Sequence, residues 1–104
     1  MEILAQRGAR SLTLALRGEL DHHAAKEVMA RLRQELDAAP PLRLTLDFSG
    51  VSFMDSSGIA VALRAQRAME ALGGQAELSR VPRQAGKVFD AAGVARFIPI
   101  RQEE

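Results

Sequence analysis

Between residues 42 and 74 the apolar period of the chain changes from two to between three and four, and few folds accommodate that change. Leu42, Leu44, Leu46 and Phe48 occupy every second position, the pattern of a strand with one buried face. From about residue 57 to 72, Ile59, Ala62, Leu63, Met69 and Leu72 recur at helical spacing, with Arg64, Arg67 and Glu70 as the wet side. Gly73-Gly74 stops that helix. A strand that runs into a helix and then into another strand is the unit of an α/β domain with a parallel sheet.

The rest of the chain extends the same logic. Residues 2–7 and 11–17 read as strands joined by a tight turn around Gly8-Ala9, and Leu12, Leu14 and Leu16 alternate with Thr13, Ala15 and Arg17. Gly18-Glu19-Leu20-Asp21 breaks the alternation. Asp21 or the histidine pair after it can cap a helix to about Ala38, carried by Ala25, Val28, Met29, Leu32 and Leu36. Ala39-Pro40-Pro41 ends it, because the residue before a proline is pushed out of the helical region. Residues 75–80 read as a strand, and Pro82 opens a short helix with Ala85, Val88, Phe89 and Ala92. Gly93 closes that helix, and Phe97-Ile98-Pro99-Ile100 is a last short strand. The expectation is a single α/β domain over residues 1–104, its core at about 3–100. It has an opening β-hairpin and a mixed sheet of four to five strands with helices packed against it.

At 104 residues there is room for one core but little for an elaborate catalytic cleft. The formal net charge of +1, basic residues scattered along the chain, and the lack of Trp and Tyr give no argument for direct nucleic-acid binding. Twelve of the 14 basic residues are Arg, a bias that genome composition explains as readily as function. Zero cysteines exclude disulfides and thiolate chemistry and are compatible with the cytoplasm. No apolar run reaches membrane-spanning length, and residues 1–7 do not form a signal peptide. No cofactor is implied, and the expected free state is a monomer.

Chemistry concentrates at Asp55-Ser56-Ser57-Gly58, where a strand gives way to a helix. Backbone N–H groups there are unpaired and point outward, and negative charge is favoured. Asp55 or Ser56 is accounted for as a helix cap; a serine at that place is also reachable by a partner and tolerates a phosphate. Local pattern alone leaves both readings open. A serine hydrolase fits poorly, since there is no G-x-S-x-G elbow and nothing in the sequence brings His22 or His23 within reach as a base. Adjacent histidines point in different directions and do not share a metal as residues three or four apart do. The glycines form no phosphate-binding loop.

Gly18-Glu19-Leu20-Asp21-His22-His23, with Val51-Ser52-Phe53-Met54-Asp55-Ser56-Ser57-Gly58-Ile59 about thirty residues on, resembles the STAS family of anti-sigma factor antagonists. Gly73-Gly74-Gln75 and Val88-Phe89-Asp90-Ala91-Ala92-Gly93-Val94 add to the likeness, which spans about residues 3 to 100. The resemblance implies a binding switch and not an enzyme. In such systems the antagonist binds an anti-sigma factor that is also a serine kinase, and so frees a sigma factor. Phosphorylation releases the antagonist and a phosphatase resets it. The motif places the phosphorylated serine at Ser57, with Asp21, His22, Asp55, Ser56 and Gly58 on the partner-binding surface. A second use of the family is as a constitutive structural subunit of signalling or lipid-transport assemblies, where the serine is often missing or unused. A further helix common in the family after the last strand has no counterpart in Arg101-Gln102-Glu103-Glu104.

Overall fold

The two alternating leucine runs come to lie side by side. In the computed structural model, which describes residues 1–102, Leu12 pairs with Leu44 and Leu14 with Leu46 in parallel register. All four are fully buried. The elements are β1 (Glu2–Gly8), β2 (Ser11–Leu20), α1 (His22–Ala38), β3 (Arg43–Met54), α2 (Ser57–Ala71), β4 (Gln75–Ser79), α3 (Arg83–Ala92), a 3-10 turn (Val94–Arg96) and β5 (Ile100–Arg101). The sheet follows sequence order, β1-β2-β3-β4-β5, with β1 antiparallel to β2 and the remaining pairs parallel. This is the expected hairpin followed by strand–helix units.

Helices α1 and α2 pack on the sheet face that carries Leu12, Leu14, Leu16, Leu44, Leu46, Ala76 and Leu78. Burying each leucine contributes about 1.5–3 kcal/mol, before the entropy of ordering it is set against that gain. On the other face Leu4 is exposed, while Thr13, Thr45 and Glu77 are half-buried. Helix α3 contributes Phe89, whose ring meets Phe48 edge to face at 5.4 Å.

Several expected boundaries move, each for a physical reason. Strand β2 does not end at Arg17 but runs to Leu20, and β3 continues past Phe48 to Met54. The register between them slips twice, between Ala15 and Arg17 and between Gly18 and Glu19. Each slip inserts a residue into β3, so alternation fails while the ladder continues. Asp47 and Phe48 are therefore both buried, and Ser49 and Gly50 both exposed. Gly50 makes the slip possible, because a Cβ there would lie 2.8 Å from the Leu16 carbonyl oxygen. Leu42 lies outside the strand and is exposed.

The apolar stripe of α2 is also rotated from the expected one. Its buried side chains are Val61, Ala62, Ala65 and Met69, whereas Ile59 and Leu63 are half-buried and Leu72 is exposed. Small residues win the inner face because α2 must fit closely against both α1 and the sheet. In α3, Ala85 and Phe89 are buried and Ala92 is exposed. Gly73 and Gly93 end α2 and α3 at φ +75° and +66°, as expected. The last strand is only Ile100–Arg101: Ile98 is buried in the core and Phe97 points outward. Glu103 and Glu104 fall outside the described residues.

Candidate functional site

Parallel pairing of Leu20 with Met54 brings the C-terminal ends of β2 and β3 together. The Asp55 N–H donates to the Leu20 carbonyl at 3.3 Å, joining the two loops that follow. Asp21 and Asp55, thirty-four positions apart in sequence, thus open neighbouring loops, each leading into a helix. The carboxyl ends of parallel strands are where open α/β sheets place their sites.

Both helix starts are occupied by their own carboxylates. Asp21 Oδ1 accepts from the Ala24 N–H at 2.8 Å, which makes Asp21 rather than the histidine pair the N-cap of α1. That bond holds the Asp21 carboxyl below the usual aspartate range. Asp55 Oδ1 accepts from the Ser57 N–H, also at 2.8 Å. Ser56 occupies the N-cap position of α2 but makes no side-chain cap bond, so Asp55 supplies the capping oxygen. The first turn closes tightly, with Gly58 N–H to Asp55 O at 3.2 Å and Ile59 N–H to Ser56 O at 3.1 Å. Ser56 is exposed and Ser57 half-buried, and among the described residues the Ser57 hydroxyl has no hydrogen-bond partner. The capping account of the sequence and the presentation of a free serine are satisfied together: Asp55 takes the N–H and leaves the hydroxyl available.

Gly58 sits directly above Met54. A Cβ there would lie 2.2 Å from the Met54 sulfur and 2.6 Å from its Cγ, so any other residue requires the buried Met54 side chain to move or α2 to shift. Met54 is fully buried and held from a second direction. Gln84 of α3 accepts from the Met54 N–H and donates to the Met54 carbonyl, each at 2.8 Å. Beyond Ser79, β4 no longer pairs with β3, and this two-bond clamp takes the place of a strand. Sequence reasoning missed Gln84. No local signal marks it, because its partner is 30 residues away and is backbone. Phe53, part of the sequence motif but given no role by it, is 47% exposed at the same end of the sheet.

His22 and His23 are exposed beside Asp21, and no hydrogen bond links either to Ser57. His23 Nε2 lies 3.9 Å from Glu27 Oε1 across one helical turn. Among the described residues no three His, Asp or Glu side chains gather as metal ligands, and no helix is long and apolar enough to cross a membrane.

An ion pair with one buried partner braces the loop after β4. Asp47 is 5% exposed, accepts from the Ser49 N–H at 2.9 Å, and pairs with Arg80. Arg80 holds φ +50°, a left-handed conformation unusual for a side-chain-bearing residue. Burial pushes the Asp47 carboxyl up, but the Ser49 N–H and the Arg80 guanidinium outweigh it and hold the group below its ordinary value. A depressed carboxylate contributes stability above its unfolded pKa of about 4 and loses it as pH falls through the folded value. Asp47→Asn is therefore expected to cost about 1–2 kcal/mol at pH 7, discounted for the half-exposed Arg80. In urea unfolding the gap from wild type should close below about pH 4. A gap that persists unchanged at pH 3 would rule out the ionised pair as its source.

The architecture is that of a small α/β domain with a serine presented at a strand-to-helix junction. The STAS domain profile matches residues 2–104, and the chain belongs to the STAS-domain family. Among curated proteins it is 31% identical over 94 residues to an anti-sigma F factor antagonist of Lysinibacillus sphaericus, covering 90% of this chain and 80% of that protein. Two solved structures superpose closely. One is the anti-sigma factor antagonist SpoIIAA in its unphosphorylated form, with a TM-score of 0.85, 26% identity and coverage of 99% of this chain and 89% of the other. The other is the Bacillus cell fate determinant SpoIIAA in its phosphorylated form, with a TM-score of 0.76, 26% identity and coverage of 99% and 92%.

Proposed function

We propose that the chain is an anti-sigma factor antagonist that binds an anti-sigma factor through the end of the domain carrying Asp21, His22 and Asp55–Gly58. Phosphorylation of Ser57 by that anti-sigma factor, acting as a serine kinase, switches it off, and a phosphatase restores it. The observation that carries this reading is the presentation of Ser57. Its hydroxyl is unpaired among the described residues at the first position of α2, while Asp55 takes its backbone N–H, beside the capping Asp21 of the neighbouring loop. The curated relatives named as anti-sigma F factor antagonists and the likeness to SpoIIAA support it. A helix N-terminus tolerates a phosphate, so the modification changes the surface and leaves the fold in place. The domain itself is a binding component and performs no catalysis.

Phosphosite mapping by mass spectrometry, after incubation with the cognate anti-sigma kinase and ATP, tests the assignment. One phosphate on Ser57, absent from Ser57→Ala, is the expected result. A phosphate on Ser56, or an equal yield from Ser57→Ala, would move the site. No phosphate from a kinase active on another antagonist would favour the constitutive subunit.

A further inference from the structure

The end of β3 has a strand along one edge only. Leu20 of β2 pairs with Met54, and the Asp55 N–H donates to the Leu20 carbonyl. On the other edge β4 accompanies β3 only as far as the pair Asp47–Ser79, so Phe48 to Met54 have no second strand. Successive residues of a strand turn their backbone groups to opposite edges, and those of Met54 face the side that β4 has left. Gln84, in the first turn of α3, fills that side. Its Oε1 accepts from the Met54 N–H and its Nε2 donates to the Met54 carbonyl, each at 2.8 Å. A carboxamide offers the same donor and acceptor as a peptide group, so one side chain stands in for a residue of the missing strand. The connection runs on to the serine. Asp55 follows Met54, its carboxylate holds the Ser57 N–H, and Gly58 rests on the Met54 side chain. Gln84 itself is exposed and is no part of the buried face of α3, which is Ala85 and Phe89.

We propose that Gln84 is a positioning residue for the phosphorylation of Ser57: it sets where the hydroxyl stands, and neither the stability of the domain nor its affinity for the kinase depends chiefly on it. The proposal rests on the reading of the chain as an antagonist phosphorylated at Ser57. In that reaction Ser57 Oγ attacks the γ-phosphorus of a nucleoside triphosphate held by the kinase. The Oγ–P bond forms, the bond from phosphorus to the departing nucleoside diphosphate breaks, and the hydroxyl proton passes to a base of the kinase. Attack has to be in line with the leaving oxygen, and a misplacement of about 1 Å can cost about 100-fold in rate. Ser57 opens α2, so its N–H is tied to the Asp55 carboxylate and not to a preceding helical turn. Its position is inherited from the end of β3, which Gln84 holds from the open side. Because the carboxamide is engaged with Met54, its loss is read in the rate of transfer and not in docking.

The test compares wild type, Gln84→Ala, Gln84→Glu and Leu36→Ala as substrates of each anti-sigma kinase encoded in the same genome, with ATP. Gln84→Glu keeps the side-chain length and the acceptor but has no N–H for the Met54 carbonyl. Leu36, buried towards the C-terminal end of α1, supplies a loss of stability remote from the serine loop. Both Gln84 variants are expected to lower kcat at least about 10-fold with KM for the antagonist within about threefold, and Leu36→Ala to leave both near wild type. In the free domain, hydrogen exchange at the Asp55 and Ser57 amides should be faster in Gln84→Ala than in Leu36→Ala. Unchanged kcat, a rise in KM alone, an equal fall in Leu36→Ala, or unchanged exchange at those amides would each overturn the positioning role while the switch at Ser57 stands. If no kinase phosphorylates wild type on Ser57, the functional reading falls and the role of Gln84 falls with it.

Discussion

Phosphorylated Ser57 is expected to bind the anti-sigma factor several hundred-fold more weakly than the unmodified protein, while the unfolding free energy of the domain moves by less than about 1 kcal/mol. The two parts have different origins. Within the domain the phosphate meets the N-terminus of α2, which favours it by about 0.3–1 kcal/mol, and the Asp55 carboxylate, which already holds the Ser57 N–H and opposes it. The terms offset. At the proposed interface nothing would offset the new charge: nearly two negative charges beside Asp55 and Asp21 would have to be desolvated against a partner that binds the unmodified serine. A penalty of about 3–4 kcal/mol corresponds to that several-hundred-fold loss. Ser57→Asp carries half the charge and should reproduce only part of it. Calorimetric titration of the two forms measures the first quantity and urea unfolding the second. Equal affinities, or a phosphorylated domain that has lost several kcal/mol of stability, would each contradict this account of the switch.

Phe89→Ala is expected to destabilise the domain by about 3–5 kcal/mol, out of the roughly 5–15 typical of a domain this size. Phe89 is fully buried and meets Phe48 at 5.4 Å with the rings 80° apart. Its helix has 10 residues, too few to be stable alone, and buries only Ala85 besides Phe89. Removing the ring leaves a cavity over Phe48 and takes from α3 the anchor that carries Gln84 to Met54. The damage therefore reaches the serine loop, and in hydrogen exchange the amides of residues 54–58 should lose protection in the variant. Phe97, eight residues on, supplies the control. It is 56% exposed, with the Arg96 guanidinium 5.5 Å from its ring centre, and Phe97→Ala should cost about 0.5 kcal/mol. Melting curves that drop equally for both variants would show that Phe89 does not anchor the helix.

Much of this architecture is legible in the residue pattern, and the failures share a cause. The leucine run at 12–16 and its counterpart at 44–46 specify two strands with one buried face, and Asp21-His22-His23 brackets the start of α1, whose cap is Asp21. The run through Ser49-Gly50 is where reading by alternation stops too early. A register slip puts two neighbouring side chains on one face, so the strand no longer shows a period of two. The inner face of α2 holds Ala62 and Met69 as expected, but Ala65 and Val61 are buried in preference to the larger Ile59, Leu63 and Leu72. Hydrophobicity ranks the large residues as the better core. Close approach to α1 and the sheet selects the small ones, and no single helix records that distance.

For the site the division is similar. The types and order of Asp55, Ser56, Ser57 and Gly58 are local, and a strand-to-helix junction with unpaired N–H groups follows from them alone. Which oxygen caps the helix is decided in three dimensions. Asp55 takes the Ser57 N–H, Ser56 does not cap, and among the described residues the Ser57 hydroxyl is left without a partner. That Asp21 stands beside this junction follows from parallel pairing of β2 with β3, and that Met54 is held from α3 follows from the Gln84 clamp. Strand and helix identity are written in periods of two and of about three and a half, which any short stretch of chain displays. Contacts between residues 20 and 54, or 54 and 84, depend on how separate segments share one core, and that is a property only the packed structure has.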